Sequence, residues 1–211
     1  AMGYEVTKED LGGWHIHCTN GSVDNLAETE QEAVAMTRRF LSYLPRSVYE
    51  AAPVQRCSDD PGRAEDWLKD AIPHDRRKIY DPRKLLEAVF DRGSLFEIGR
   101  HQGGSVITML GRLRGIPVGV IGNDPKAAGG AMTLQAAAKM ERHTRLCSLF
   151  GLPVVNFVDQ PGNALLGQRQ KLSEGRLGKG FALGRALDLD DAARARHHEI
   201  SVGTGRRILG V

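Results

Sequence analysis

Gly129 and Gly130 are the residues of this sequence whose type and placement best suit chemistry. They stand between a predicted apolar strand and a predicted long helix, and no ionisable side chain stands at the pair. Glycine permits tight turns and close approach of a ligand to the backbone, and N–H groups at a helix start favour negative charge. The pair therefore predicts a backbone oxyanion hole, in which each donor contributes ~3–4 kcal/mol to transition-state stabilisation. A plain turn before a helix is the alternative interpretation.

Two helices are predicted on either side of this turn in the sequence. Asp81 is a suitable N-cap and Pro82 suits the first turn of a helix whose apolar stripe begins at Leu85. The residues Met132–Phe150 are amphipathic, and Gly151 follows them as a residue that ends a helix.

Three strands are predicted from the apolar patterns. Ser105–Leu113 alternates, Ile116–Ile121 is an apolar run, and the Arg114-Gly115 pair between them suggests a hairpin turn. Val154–Val158 is a short β-branched run without alternation, which is typical of a strand buried on both faces. A strand, a helix and a strand in this order indicate an α/β fold.

The remainder of the chain divides by composition. A helix is predicted over Ala27–Leu44, ended by Pro45, and His15–Thr19 is interpreted as a short extended stretch. Residues 46–80 hold several prolines among charges, which is typical of a linker. The tail from Ala164 is rich in glycine and shows weak periodicity.

Composition excludes several classes of function. The chain is 41% hydrophobic and 26% charged with a net charge of +3, as in ordinary globular proteins. Basic residues are scattered without interleaved aromatic residues, so no nucleic-acid partner is predicted. Neither a signal peptide nor a membrane span of ~20 apolar residues is found. Three distant cysteines without metal-ligand spacing predict reduced thiols, no metal site and a cytoplasmic location.

Several ordered blocks resemble the carboxyltransferase (β) subunit of biotin-dependent acyl-CoA carboxylases, with the propionyl-CoA and acetyl-CoA enzymes as the nearest types. The blocks are Tyr80–Gly99, Gly111–Pro125 and Ala128–Gly162, which match the start of that family's C-terminal domain. An earlier segment, with Glu9, Leu11, Gly12, Gly13 and His17, is similar to the end of its N-terminal domain. The resemblance covers roughly residues 3–163 and is expected to stop near Asn163.

The resemblance implies a fold and a domain organisation. The fold would be α/β, of the crotonase-like (ClpP/crotonase) ββα type and incomplete. Residues 1–45 would end the N-terminal carboxyltransferase domain, residues 46–80 would be a linker, and residues 81–163 would begin the C-terminal domain. Residues 164–211 would form a divergent tail of unknown fold.

The resemblance also implies a reaction. Carboxybiotin on a separate carrier protein releases its carboxyl group, the biotin enolate takes the α-proton of an acyl-CoA, and the thioester enolate attacks CO₂. By position, the backbone N–H groups of Gly129, Gly130 and Ala131 would stabilise the biotin enolate, with biotin itself as the base. Acyl-CoA, a biotin carboxyl carrier or biotin carboxylase subunit, and further copies of the chain would be the partners.

Three more residues are assigned to substrate or biotin binding by the resemblance. Met132 falls where many family members carry an acidic residue that helps choose the acyl chain, although packing at the helix start is an equal alternative. Pro161 and Gly162 belong to the loop Asp159–Gly162, which would lie beside the biotin pocket. On sequence alone, that loop is equally well a capped turn with Asp159 as a structural acceptor.

The chain departs from the family in ways that leave other functions open. A complete β subunit is more than twice as long, and the second oxyanion glycine pair, for the thioester, is not found here. A biotin-independent decarboxylase of a malonyl-type CoA thioester is one alternative, and a non-catalytic truncated subunit is another. A crotonase-type hydratase is disfavoured because no glutamate stands near the glycine pair.

Overall fold

A mixed sheet of five strands organises the part of the chain that the structure describes. The computed structural model describes residues 6–60, 62–75, 78–163 and 200–203. The strands lie side by side in chain order, antiparallel from β1 to β3 and parallel from β3 to β5. Their bounds are β1 (Phe96–Glu97), β2 (Val106–Leu113), β3 (Ile116–Asn123), β4 (Val154–Val158) and β5 (Ile200–Gly203).

The predicted hairpin and the third predicted strand are confirmed, but the burial predicted for β4 is wrong. β2 and β3 pair from Val106 opposite Asn123 to Leu113 opposite Ile116. In β4, Val155 is buried whereas Val158 is 37% exposed. β4 pairs with β5 on its outer side, and its burial pattern falls from a buried Val155 to an exposed last residue.

Five α-helices accompany the sheet in the described part of the chain, together with 3-10 helices at Asp66–Asp70 and Ala128–Gly130. The α-helices are α1 (Lys8–Gly12), α2 (Trp14–Asn20), α3 (Glu30–Leu41), α4 (Pro82–Val89) and α5 (Leu134–Leu149). α3 falls within the helix predicted over Ala27–Leu44. The extended stretch predicted at His15–Thr19 is wrong, because these residues lie inside α2. A run of five residues is too short to tell strand alternation from a helical turn.

The ends of α4 and α5 follow the predicted capping chemistry. Asp81 Oδ1 accepts the N–H of Arg83 at 3.1 Å, and a proline occupies the first turn of α4. At the start of α5, Thr133 Oγ1 accepts the N–H of Ala136 at 3.1 Å. This cap begins the helix at Leu134 rather than Met132, and Gly151, with φ +64°, follows its end.

Alternation along the strands sends side chains to two separate cores. On one face, α4 and Phe90 pack on odd-numbered residues of β2 and even-numbered residues of β3. On the other face, α5 and the end of α3 pack on the remaining residues. The first core contains Leu86, Phe90, Ile107, Met109, Val118, Val120 and Val155. The second consists of two clusters, Tyr43, Leu44, Phe96, Leu110, Cys147 and Leu152, and Val106, Ile121, Met132 and Ala136.

The segment after α3 is attached to the sheet by a buried arginine. The guanidinium of Arg112 donates to the carbonyl oxygens of Ser42, Pro53 and Gly115 at 2.6–2.9 Å and lies 4.9 Å from the centre of the Tyr43 ring. The predicted 1–45 and 81–163 regions therefore share contacts, and their assignment to two domains stays a prediction. Most of the predicted 164–211 tail lies outside the described residues.

Candidate functional site

The predicted glycine pair lies where β3 and β4 end. These two strands are parallel, so their carboxyl ends meet at one edge of the sheet, the edge at which α/β proteins bind ligands. Residues Ala128–Gly130 form the glycine turn after β3, and residues 159–163 form the Asp159 loop after β4. The N–H of Met132 donates to the Gly162 carbonyl at 3.1 Å, and Met132 pairs with Asn163 as a parallel bridge. The structure thus brings the predicted site residues together.

Asn123 joins the glycine turn to the Asp159 loop. It is the last residue of β3 and is 7% exposed. Its Nδ2 donates to the Gly130 carbonyl and its Oδ1 accepts the N–H of Asp159, both at 3.1 Å. Sequence reasoning missed this residue, although a polar amide at the end of an apolar strand was a usable signal.

The two glycines of the turn are required for different reasons. Gly129 has φ +60° and is exposed, and a Cβ built on it would meet no atom within 4 Å. Gly130 has φ +78° and is buried, and a Cβ there would lie 3.2 Å from the carbonyl oxygen of Asp159. Gly129 thus faces open space, while Gly130 permits the close approach of turn and loop.

Most of the predicted oxyanion donors are already engaged. The N–H of Gly130 donates to Ala127 at 2.9 Å and the N–H of Ala131 donates to Ala128 at 3.1 Å. Within the described residues, the N–H of Gly129 has no hydrogen-bond partner. Of the three predicted donors, Gly129 is therefore the one whose N–H is available to a ligand in this conformation.

The other predicted binding residues differ in their surroundings. The Met132 side chain is 8% exposed and belongs to a core cluster with Val106, Ile121 and Ala136, which agrees with the packing alternative. Pro161 and Gly162 are exposed on the Asp159 loop. Beside them the first residue of α5, Leu134, is 77% exposed.

A partly buried ionic triad lies at the start of the segment that leads to the glycine turn. Arg83 binds both oxygens of Glu97 at 2.6 and 3.0 Å and also donates to Asp124, the residue after β3. The hydrogen bonds that Arg83 donates to Glu97 and to Asp124 hold the pKa of Arg83 above its usual range, although burial opposes them. Arg83 is therefore a permanent cation that fixes the first residue of the segment leading to the turn.

An ion pair and a hydrogen bond lie next to the site. Lys126 Nζ binds Asp81 Oδ2 at 3.0 Å; burial opposes ionisation of Asp81, but the bonds from Lys126 and from the N–H of Arg83 lower its pKa overall. The Tyr80 hydroxyl donates to Asp159. Burial, and then this bond, raises the pKa of Tyr80, so the phenol stays a hydrogen-bond donor.

The buried face of α5 carries titratable groups that lie inside the protein rather than at the site. Burial lowers the pKa of His143 to about 4 and raises that of Cys147 to about 12. The Cys147 Sγ lies 3.8 Å from His143 Nε2, but both side chains are buried. A neutral, inaccessible thiol is not a nucleophile, so this pair is structural.

Because Lys139 is buried, we predict that the free energy of unfolding rises measurably with pH. Its Nζ donates to the carbonyls of Gly99 and Gln102, both at 2.9 Å, and burial lowers its pKa from 10.5 to about 8. The unfolded chain keeps this proton to higher pH, so stability increases from pH 8 upward. We expect Lys139 to add about 1 kcal/mol to the unfolding free energy between about pH 7 and 9.

Urea unfolding of the wild type and Lys139→Met at those two pH values measures this contribution. The rise in Lys139→Met should be smaller than that of the wild type by the stated amount. An equal rise in both proteins would contradict the assignment. The comparison stops near pH 9 because the raised pKa of Cys147 lowers stability at higher pH.

Two cavities of the described structure lie away from this edge, with volumes of about 470 and 240 Å³. The smaller one is lined by Cys57, Asp59 and Asp91, whose potential ligand atoms lie within 4.8 Å of one another. Both oxygens of Asp91 already accept backbone N–H groups, and four arginines line the same cavity: Arg39, Arg56, Arg92 and Arg112. This positive surrounding disfavours a cation.

Comparison of the sequence with protein-family models identifies the family of this chain. The family model described as the carboxyl transferase domain matches residues 1–183, and the chain therefore belongs to the carboxyl transferase domain family. The predicted resemblance is confirmed. The match continues past Asn163 to residue 183, so the expectation that similarity stops at Asn163 is wrong.

The chain spans about a third of the length of the individual relatives that it matches. The methylmalonyl-CoA decarboxylase subunit alpha of Veillonella parvula is 37% identical over 161 residues, 76% of this chain and 32% of that protein. The mitochondrial propionyl-CoA carboxylase beta chain of Homo sapiens is 35% identical over 159 residues, 75% and 30% of the two chains.

A solved structure of the transcarboxylase 12S, with methylmalonyl-coenzyme A and methylmalonic acid bound, gives a TM-score of 0.74 at 29% identity. The match covers 80% of this chain and 33% of that one. The predicted crotonase-like α/β fold is confirmed. Among the described residues, no helix combines the length and the apolar character that crossing a membrane requires.

Proposed function

We propose that this chain contributes to carboxyl transfer between carboxybiotin and the α-carbon of an acyl-CoA. The observation that carries the proposal is the exposed glycine turn at the carboxyl ends of two parallel strands, with the N–H of Gly129 available and no ionisable side chain on the turn. Such a turn stabilises negative charge on oxygen but supplies no proton acceptor of its own. It suits a reaction whose base arrives with the cofactor.

The described residues fit a carrier-borne group. Gly129 is exposed and faces open space, so a group delivered by another protein can reach its N–H. When bound, biotin carries the carboxyl group and supplies the basic atom. Within the chain, Gly129 is the first donor to the developing oxyanion, and the N–H groups of Gly130 and Ala131 become donors only if their 3-10 turn bonds open. Met132 supports the turn by packing, and Pro161 and Gly162 border it.

The remaining parts of the proposal concern partners and location. Acyl-CoA is the second substrate, and a biotin carrier or biotin carboxylase subunit delivers the carboxyl group. The resemblance to a family whose transcarboxylase 12S member has a described hexamer assembly supports a homo-oligomer. The free thiols of Cys18, Cys57 and Cys147 are compatible with a reducing compartment such as the cytoplasm.

Methylmalonyl-CoA with and without free biotin tests the proposed reaction. Biotin-dependent loss of the carboxyl group, with carboxybiotin formed in equal amount, would support carboxyl transfer. Release of CO₂ at the same rate without biotin would instead support the decarboxylase alternative. The 37% identity to the decarboxylase subunit of Veillonella parvula is the observation that favours this alternative. Absence of calorimetric binding of either compound would favour a non-catalytic subunit.

Gly129→Ala tests whether a ligand occupies the open space next to Gly129. Gly93 is a matched control because it also has positive φ, +68° against +60°, and also faces open space. Both substitutions should cost about 1 kcal/mol of stability through left-handed strain. Only Gly129→Ala should lower biotin-dependent transfer, on the order of 10-fold, since its methyl group occupies the ligand's space. Equal activity of the two variants would contradict the placement of the ligand.

A further inference from the structure

The segment Tyr80–Arg83, at the start of α4, is attached to the residues that lead from β3 to the glycine turn. Arg83 donates to Asp124, and Asp81 accepts from Lys126 at 3.0 Å. Asp124 is 5% exposed and its own N–H donates to the Ser105 carbonyl. These contacts fix Asp124 and Lys126, which connect β3 to the glycine turn, against the start of α4.

Tyr80 attaches the same segment to the Asp159 loop. Its hydroxyl donates to the Asp159 carboxylate across 79 residues of sequence. Asp159 is also the loop residue that meets the turn, since its N–H donates to Asn123 and its carbonyl oxygen lies closest to the Cβ position of Gly130. Tyr80 therefore binds Asp159, the residue whose backbone contacts set the distance between the loop and the turn.

We propose that Tyr80 is a positioning residue that holds the Asp159 loop against the glycine turn. A hydrogen bond from a phenol to an ionised carboxylate is stronger than one between neutral groups. Pro161 and Gly162 are exposed, so burial contributes little to the position of that part of the loop. The effect on turnover rests on the proposed function, whereas the effect on loop position does not.

Tyr80→Phe in the full chain removes only the hydroxyl, and Tyr49→Phe is the matched control. Tyr49 is 95% exposed, and its hydroxyl has no partner among the described residues. The first measurement is amide hydrogen exchange at Met132, whose N–H donates to the Gly162 carbonyl. In Tyr80→Phe this exchange should be on the order of 10-fold faster, with β2 and β3 amides unchanged, while Tyr49→Phe should match the wild type. Unchanged Met132 exchange in Tyr80→Phe would overturn the proposal.

The second measurement separates kcat from KM in biotin-dependent transfer. We expect Tyr80→Phe to lower kcat on the order of 10-fold and to leave the KM for methylmalonyl-CoA unchanged, because Tyr80 positions the Asp159 loop rather than the thioester. Faster exchange with wild-type kcat would overturn a role in positioning for catalysis. A wild type without transfer activity would contradict the proposed function, while the exchange experiment would still decide whether Tyr80 holds the loop.

Discussion

Arg83→Leu should lower the free energy of unfolding by about 3 kcal/mol, the lower end of the usual cost of removing one partner of a buried ion pair, because this triad is only partly buried. The side chain of Arg83 is 21% exposed, and those of Glu97 and Asp124 are 14% and 7% exposed. Without the guanidinium, two carboxylates remain close together in a poorly hydrated place. Urea unfolding near pH 7 measures the loss.

Two comparisons show whether unpaired charge is the cause. Lys69→Leu removes one partner of the exposed pair with Asp66, whose side chains are 79% and 97% exposed, and should change stability by less than about 1 kcal/mol. The triple variant Arg83→Met, Glu97→Gln and Asp124→Asn removes all three charges and should recover most of the stability. A triple variant as unstable as Arg83→Leu would show that lost packing, rather than charge, explains the effect.

Asn123→Ala should reduce biotin-dependent carboxyl transfer on the order of 100-fold, because misplacement of a site by about 1 Å has effects of that size. The substitution leaves the Gly130 carbonyl and the Asp159 N–H without their partner. It should also cost about 1–3 kcal/mol of stability, the range for buried groups left without a hydrogen bond.

Asn156→Ala is the control for this prediction. Asn156 lies in β4 of the same sheet, and its side chain makes no hydrogen bond within the described residues. It should retain transfer close to the wild-type rate. The amide resonance of Asp159 should move in Asn123→Ala and stay in place in Asn156→Ala. Wild-type transfer by Asn123→Ala would mean that the approach of loop and turn does not control the reaction.

The local elements of the site could be predicted because their signals lie within a few residues. Asp81 and Pro82 mark the start of α4, and Gly151 marks the end of α5. The hairpin of β2 and β3 follows from two apolar runs and the turn between them. The error at His15–Thr19 arose because so short a segment does not distinguish a helical from an extended periodicity.

The sequence by itself determined the family, the strand–turn–helix–strand order and a turn without acid–base side chains, since these properties are written in adjacent residues. Tertiary structure alone decided which N–H groups are available and what holds the turn. Gly129 differs from Gly130 through exposure and hydrogen bonding. Asn123 reaches across 36 residues and Tyr80 across 79 to the same Asp159. Contacts between distant segments depend on how the strands and helices pack, which no local pattern records.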